Sequence, residues 1–309
     1  MAERKPVVIS VKKARAQINV FGFSLIICSA ISLLVWYGSE LLDPIAERYF
    51  PLLDGDTMVI LMYMAVMPLM AFVLFRHTAH TLNFNYRDYL EKKDIPFWKM
   101  SALCMAGAAI AILVTAIAST NVFFLKPRTV PFTFVGQFDT TTNIWKNVMY
   151  FVVFVMIKPI TDEFIFHGVV QRQLGHYSRD FGVFASALLY AMSQPTFSYA
   201  IVELFVGWYL AWIALRYHSI RPSIIAHSFV SLISWAITAF STSVPFVISF
   251  LVTAIYAITI FGLFTGAIEY RLVKFKKLKL RLWKILFSAW TIRVFTLLFL
   301  VTMVLSFII

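Results

Sequence analysis

Long apolar runs alternate with short polar segments along this chain, and the alternation predicts its elements. A helix needs about 20 residues to cross the hydrocarbon core of a bilayer. The apolar runs are residues 18–38, 57–75, 101–120, 147–174, 181–194, 201–215, 222–240, 247–267 and 285–309. The run 181–194 is short, and it can continue to about 200 past a bend at Pro195. We predict an all-α fold, a polytopic transmembrane helix bundle of about nine spans.

Charge also alternates between the polar segments. Basic residues concentrate within 1–17, 76–100, 216–221 and 271–284, whereas 39–56 carries five acids and one arginine. By the positive-inside rule the N-terminus lies in the cytoplasm, and we expect a multi-pass protein of a bacterial cell membrane. The basic N-terminus and the apolar run after it resemble a signal peptide. That run is too long and lacks a small-residue cleavage site, so we predict a retained first span.

The composition agrees with a membrane protein. The chain has 309 residues, of which 61% are hydrophobic and 14% charged, with a net charge of +12. A soluble domain is closer to a quarter charged. Because the positive charge lies in short loops, it indicates membrane lipid and not nucleic acid as a partner. Cys28 and Cys104 lie within apolar runs, which argues against a disulfide framework or a cysteine metal site.

The most informative stretch is 161–174, TDEFIFHGVVQRQL, which brings two adjacent acids into an apolar environment. Ionisable residues at membrane depth are costly, and they usually face the bundle interior and serve function. On a helix, Glu163 and His167 share one face, whereas Asp162 points about 100° away. This stretch predicts a polar site inside the bundle.

Three residues near these acids bear on the site. Pro159 removes a backbone donor just before Asp162 and predicts a kink in the helix. Lys158 is expected to be a buried partner of the carboxylates or a side chain that snorkels towards the membrane surface. Glu203 is the remaining acid well inside an apolar run, and we interpret it as structural or as lining a cavity.

His227 and Ser231 lie one helical turn apart in the run 222–240. A carboxylate and histidines that converge in a dry cavity can activate a water, with the carboxylate as general base. Further hydrogen-bond donors can stabilise the oxyanion that develops on a peptide carbonyl. His227 and Ser231 are candidates for such donors.

Three motifs, in order, resemble the CAAX protease and bacteriocin-processing (CPBP, or Abi) family of intramembrane glutamic-type endopeptidases. DEFIFHG at 162–168 corresponds to the family's EExxFRG motif. YAMSQ at 190–194 corresponds to an aromatic residue followed four positions later by histidine. HSFVS at 227–231, preceded by the typical Pro222, corresponds to histidine followed four positions later by asparagine. The resemblance covers roughly residues 155–240.

The resemblance implies a catalytic role for four matched positions. Asp162 corresponds to the acid that activates water, and Gln194 to the histidine that assists it. His227 and Ser231 correspond to the pair that binds the oxyanion.

The first motif also implies that Glu163 and His167 correspond to an acid–arginine pair that is mainly structural. The chain departs from the family pattern in side-chain chemistry. Asp162 is one methylene shorter than glutamate, and Gln194 cannot shuttle a proton near neutral pH. Ser231 has a shorter reach than asparagine, and His167 lacks the bidentate fork of arginine.

The leading functional hypothesis is an intramembrane endopeptidase-like protein that hydrolyses a peptide bond of a membrane-associated substrate by acid-activated water. The second is a non-catalytic pseudo-peptidase, a scaffold that binds and regulates a membrane protein partner. A small-solute transporter is disfavoured because paired repeats with interrupted helices are absent from the sequence.

Two simpler interpretations of the polar residues also stay open. The acids and histidines can order the helices as buried polar pairs, and Gln194 and Ser231 can join neighbouring helices. Carboxylates and imidazoles can also hold a divalent metal, but the chain has no HExxH motif, and we expect neither a metal nor a cofactor. We divide the chain into N-terminal spans (1–145), the core bundle with the motifs (146–245) and C-terminal spans (246–309).

Overall fold

The computed structural model describes residues 10–49, 90–119, 148–240 and 280–308, together with parts of 64–82 and 254–264. These residues are mainly helical and include no strand, which confirms an all-α membrane protein. The helices are α1 Val11–Tyr49, α2 Phe97–Ser119, α3 148–175, α4 Arg179–Met192, α5 Phe197–Tyr217, α6 Arg221–Phe240, α7 Leu280–Ser288 and α8 Trp290–Ile308.

Three of the described helices contain a stretch long and apolar enough to cross a membrane: Val11–Ile31, Phe97–Ile117 and Tyr199–Tyr217. The pair α7 and α8 adds a fourth if the two helices form one bent span. The predicted run 57–75 and much of the run 247–267 lie outside the described residues. The count of nine spans therefore stays a prediction.

The C-terminal run differs from the single straight span predicted for 285–309. It forms α7 and α8, whose axes differ in direction by 83°. Side chains bind the carbonyls at the end of α7: the Ser288 hydroxyl donates to the Ile285 carbonyl at 2.8 Å, and Arg293 Nε donates to the Phe287 carbonyl at 3.1 Å. Helix ends leave their last carbonyls without intrahelical partners, and these bonds satisfy two carbonyls at the bend.

Two apolar clusters hold the described helices together. The first joins α1, α3, α4, α7 and α8, with Phe21, Leu189 and Phe295 among its buried members. The second joins α2, α5 and α6 through residues such as Leu103 and Ile213. Because lipid is as apolar as these side chains, close packing and interhelical hydrogen bonds hold such a bundle together.

Interhelical hydrogen bonds connect α5 to its neighbours. The Tyr209 hydroxyl donates to the Leu103 carbonyl of α2 at 2.9 Å. Gln171 Nε2 of α3 donates to the Ala211 carbonyl at 2.7 Å. Since α3 also contacts α4 and α6, three neighbouring helices surround its polar segment.

The helix α3 is irregular around the position of Pro159. Its segments are π-helical at Phe151–Ile157 and Glu163–Val170, and α-helical at Lys158–Asp162 and Gln171–Gly175. Proline lacks the backbone donor that a regular helix uses, and π segments are frequent at functional sites. The structure therefore places a local irregularity where the sequence predicted a kink.

Candidate functional site

Six polar side chains from α3, α4 and α6 meet in the interior of the bundle, and we call them the polar network. Its members are Lys158, Asp162, Glu163, His167, Tyr190 and His227. Apart from the partly exposed Lys158, no member exposes more than 6% of its surface. Buried polar groups of this kind are costly unless they bind one another.

Asp162 lies at one end of the polar network. Lys158 Nζ donates to Asp162 Oδ2 at 2.7 Å, and the two residues are four positions apart in α3. The Tyr190 hydroxyl of α4 lies 3.2 Å from the same oxygen and 3.5 Å from Lys158 Nζ. The Lys158 ammonium also lies 5.5 Å from the centroid of the Tyr190 ring. One carboxylate oxygen is thus shared by an ammonium and a phenol.

His227 of α6 joins this end to Glu163. Its Nε2 lies 3.4 Å from the Tyr190 hydroxyl, and its Nδ1 lies 3.1 Å from Glu163 Oε1. His167 Nε2 lies 3.8 Å from the same Glu163 oxygen, within ion-pair range but beyond a hydrogen bond. The carboxylates of Asp162 and Glu163 are therefore connected through a tyrosine and a histidine.

The hydrogen bonds limit where the protons can be. A tyrosine has one hydroxyl proton, so Tyr190 can donate to Asp162 or to His227 but not to both. If it donates to Asp162, His227 Nε2 must carry a proton and donate it to the tyrosine oxygen. The hydrogen bond between His227 Nδ1 and Glu163 Oε1 then needs a second proton, which either of these two atoms can carry. The Glu163–His227 pair is then neutral overall, as is the Lys158–Asp162 pair. This arrangement leaves no net charge on either pair, which a low-dielectric medium favours.

Tyr190 is held at the centre of the polar network by its ring. The ring centroid lies 4.9 Å from that of Phe166 and 6.1 Å from that of His227. On the other side the ring rests on Gly207 of α5, where an added Cβ would lie only 2.6 Å from Tyr190 Cδ1. A glycine at 207 is therefore required for this close approach of the ring to the backbone.

The expected geometry of the first motif is found in part. Glu163 and His167 lie near each other as predicted, but the shorter contact of Glu163 is with His227. Asp162 has different direct partners from Glu163, as its different direction on the helix predicted. The two acids nevertheless belong to one network because Tyr190 bridges Asp162 to His227.

The two other predicted site residues, Gln194 and Ser231, are not among the hydrogen-bond partners that the described structure gives for Asp162. Gln194 is buried at the end of α4, where its Nε2 donates to the Tyr190 carbonyl at 3.3 Å and to Ser193 Oγ at 3.5 Å. These bonds cap its own helix. Ser231 is half-buried, one turn after His227 in α6.

Two residues outside the predicted site set belong to the polar network. Lys158 appears as the partner of a carboxylate, one of the two interpretations made for it, and its spacing from Asp162 was a sequence signal for the pair. Tyr190 is the aromatic residue of the second motif, and no signal in the sequence predicts the contacts of its hydroxyl. Glu203 lies near enough to interact electrostatically with Lys158 and Tyr190.

The arrangement of possible metal ligands bears on the alternative of a metal centre. Across the described ranges, no three or more histidine, cysteine, aspartate or glutamate side chains are arranged to hold a metal ion. His227 and His167 approach the same oxygen of Glu163, so this oxygen faces ring nitrogens and not an open coordination position.

The fold and the polar network define an all-helical membrane protein with ionisable groups enclosed between its helices. Residues 144–233 match the family model described as Type II CAAX prenyl endopeptidase Rce1-like. The match covers α3, α4 and α5 and part of α6, and includes the whole polar network, so this segment of the chain is similar to that family. Comparison with curated proteins and with solved structures gives no significant match.

Proposed function

We propose that this protein is an intramembrane endopeptidase-like protein that hydrolyses a peptide bond of a membrane-associated substrate. The observation that carries the proposal is the convergence of Asp162, Glu163 and His227 within a buried network. The family match of residues 144–233 supports the same class of activity. The proposal concerns a peptide at or in the membrane and assigns no prenyl group to the substrate.

In the proposed reaction, Asp162 takes a proton from water as the water oxygen attacks the peptide carbonyl carbon. The ammonium of Lys158 lies 2.7 Å from this carboxylate and orients it. The protonated Asp162 then gives its proton to the departing amine when the tetrahedral intermediate collapses. No other reactant is needed, and both protons of the water are retained in the two products.

The other polar groups have supporting roles in this proposal. His227 Nε2–H donates to the oxyanion, and Glu163 orients the imidazole through Nδ1. The Tyr190 hydroxyl lies between Asp162 and His227, so a substrate carbonyl must displace its contact with His227. Ser231 is a further candidate donor to the oxyanion, and Gln194 orients groups without transferring a proton.

A second candidate function is binding without hydrolysis, in which the protein is a scaffold for a membrane protein partner. A specific observation favours it: Asp162 is already bound by an ammonium and a phenol, and the phenol also contacts His227. In addition, Gln194 stands where the family has a proton-transferring histidine and bonds to its own helix. Under this proposal the same network orders the binding surface and activates no water.

The test is cleavage of a fluorogenic peptide library by purified protein. Asp162→Asn and Glu163→Gln each replace a buried carboxyl group by an amide of nearly the same shape. The exposed acids offer the matched controls Asp94→Asn and Glu91→Gln. A peptidase loses turnover in both core variants and keeps it in both controls. Gln194→His is expected to raise the turnover of a peptidase, because it restores a proton-transferring side chain.

The results separate the two candidates. Turnover that survives Asp162→Asn contradicts the proposed role of Asp162 and indicates a contaminating protease. No turnover by wild-type protein or by Gln194→His, both with native helical content, contradicts the peptidase. Capture of one membrane protein by wild type and Asp162→Asn alike then supports the scaffold.

Our proposal for the whole chain extends the described helices. We propose about nine spans, with the N-terminus on the cytoplasmic side of a bacterial cell membrane. The N-terminal spans are 1–145, the core bundle 146–245 and the C-terminal spans 246–309. The supporting observation is the alternation of basic segments along the sequence. Cysteine labelling from the two sides of the membrane tests this topology.

A further inference from the structure

The helix α7 crosses one end of the bundle and differs in character from α8. It turns by 83° from α8, which is apolar throughout much of its length. Its Trp283 packs edge-on against Phe181 at the start of α4, with ring centroids 5.2 Å apart. Leu286 on the same helix is fully buried in the apolar cluster.

The beginnings of α1, α4 and α8 meet at this same end. The hydroxyl of Tyr177, just before α4, donates to Gln17 Oε1 of α1 at 2.8 Å. The hydroxyl of Thr291, at the start of α8, donates to Asn19 Oδ1 of α1 at 3.0 Å. Together with the contact of α7 with α1, these bonds bring α7 and the beginnings of α1, α4 and α8 together.

Cations cover the outer surface of this end. The exposed basic residues there, which we call the basic end, are Lys12, Lys13, Arg15, Arg179, Arg281 and Lys284. Asp180 is the one acid within 10–20, 171–185 and 280–295. It is buried, and its Oδ1 lies 3.4 Å from Arg179 Nε. The surface therefore has a strong excess of positive charge.

The faces of α7 divide by polarity. Arg281 and Lys284, three positions apart, are exposed on one side, whereas Leu286 and the ring of Trp283 face the bundle. A short amphipathic helix with basic residues on its outer face is typical of the membrane interface. The axes of α7 and the apolar α8 differ by 83°. A helix at this angle to one that enters the membrane lies nearly parallel to the membrane surface.

We infer that α7 is an interfacial helix, and that Arg281 and Lys284 bind the headgroups of anionic phospholipids together with the other cations of the basic end. Charge complementarity identifies the occupant: within 10–20, 171–185 and 280–295 this surface carries exposed cations and no exposed acid, next to the apolar helix α8. Each cation close to an anionic membrane surface strengthens such binding, and removal of two is expected to weaken it roughly tenfold or more.

The experiment measures phospholipid retention by the full chain in detergent with native mass spectrometry, comparing phosphatidylglycerol with phosphatidylcholine. Wild type is expected to retain more phosphatidylglycerol than phosphatidylcholine. In Arg281→Gln/Lys284→Gln the ratio of the two retained lipids is expected to fall about tenfold. The control Lys92→Gln/Arg221→Gln removes the same charge from exposed cations outside the basic end and is expected to keep the preference.

Equal loss of preference in both double variants would show that total charge alone matters and would overturn the inference. Absence of any preference in wild type would overturn it as well. Arg281→Lys/Lys284→Arg preserves the charges and must behave as wild type, which separates headgroup binding from damage to the fold. Stoichiometric capture of an acidic protein, without lipid preference, would identify a different occupant and contradict the proposal.

Discussion

Replacement of Tyr190 by phenylalanine removes one oxygen from the centre of the polar network and leaves the ring in place. The ring contacts with Phe166 and Gly207 do not involve the hydroxyl, so the packing is expected to survive. The hydroxyl contacts Asp162, His227 and Lys158 at 3.2, 3.4 and 3.5 Å. The substitution therefore isolates the hydrogen bonds from the packing.

The expected loss of stability follows from the hydrogen-bond partners that lose the hydroxyl. Interhelical hydrogen bonds in membrane proteins contribute about 0.6 kcal/mol on average, and seldom more than about 1.7 kcal/mol. A buried group left without a partner costs about 1–3 kcal/mol, and more when it is charged. Because Tyr190→Phe leaves His227 Nε2 without its partner and weakens the environment of Asp162, we expect a loss of about 2 kcal/mol in the free energy of unfolding.

The assay is reversible unfolding in mixed micelles of a double-mutant cycle with Asp162→Asn. If Tyr190 and Asp162 act as one unit, Tyr190→Phe costs clearly less in the Asp162→Asn background, with a coupling free energy of about 1 kcal/mol or more. Additive effects within about 0.5 kcal/mol would refute the bridge between the two residues. A cost of Tyr190→Phe below about 0.5 kcal/mol in the wild type would refute the central position of the hydroxyl.

Two further substitutions test the surroundings of this network. Lys158→Met leaves Asp162 buried without its cation and is expected to lower the free energy of unfolding by about 3–5 kcal/mol. The double variant Lys158→Met/Asp162→Leu is expected to recover much of this loss. Thermal unfolding of the single and double variants checks this, and equal stability of wild type and Lys158→Met would contradict it. Gly207→Ala places a Cβ 2.6 Å from the Tyr190 ring and is expected to cost about 1–3 kcal/mol. Gly175→Ala, with open space around the new Cβ, is its control, and the expectation fails if the two alanine variants unfold alike.

The sequence was sufficient to predict the composition of the site in part. The cost of charges in apolar surroundings singled out Asp162 and Glu163, and helical spacing predicted that His167 lies near Glu163. The order of the motifs predicted that His227 belongs to the same site. These inferences use local spacing and the energy of burial, which act within a single segment.

The contacts of Tyr190 could not be predicted in the same way. Its hydroxyl reaches Asp162 and His227 because α4 packs closely at Gly207 on α5, the next helix along the chain. A buried tyrosine within an apolar run otherwise looks like a packing residue. The rotation of α4 about its axis determines which groups the Tyr190 hydroxyl contacts. The sequence of α4 alone does not predict this rotation.

The hydropathy of the sequence does not predict the bend between α7 and α8, for a related reason. Hydropathy alone extends the last run from 285 to 309, since Ile285, Leu286 and Phe287 are apolar. The structure instead ends α7 at Ser288, where side chains satisfy the last carbonyls and Leu286 packs into the bundle. The apolar residues before the bend face protein, and hydropathy does not distinguish protein from lipid.

The central claim is that the polar network receives a membrane-associated peptide. Photocrosslinking in proteoliposomes tests it most directly, with a photoreactive phenylalanine derivative replacing Ser231, which lies one turn from His227. The control carries the same photoreactive derivative in place of Leu297, which is exposed on α8. Our account predicts that a membrane-inserted peptide crosslinks from position 231 and not from position 297. Crosslinks of equal yield from both positions, or from position 297 alone, would contradict it.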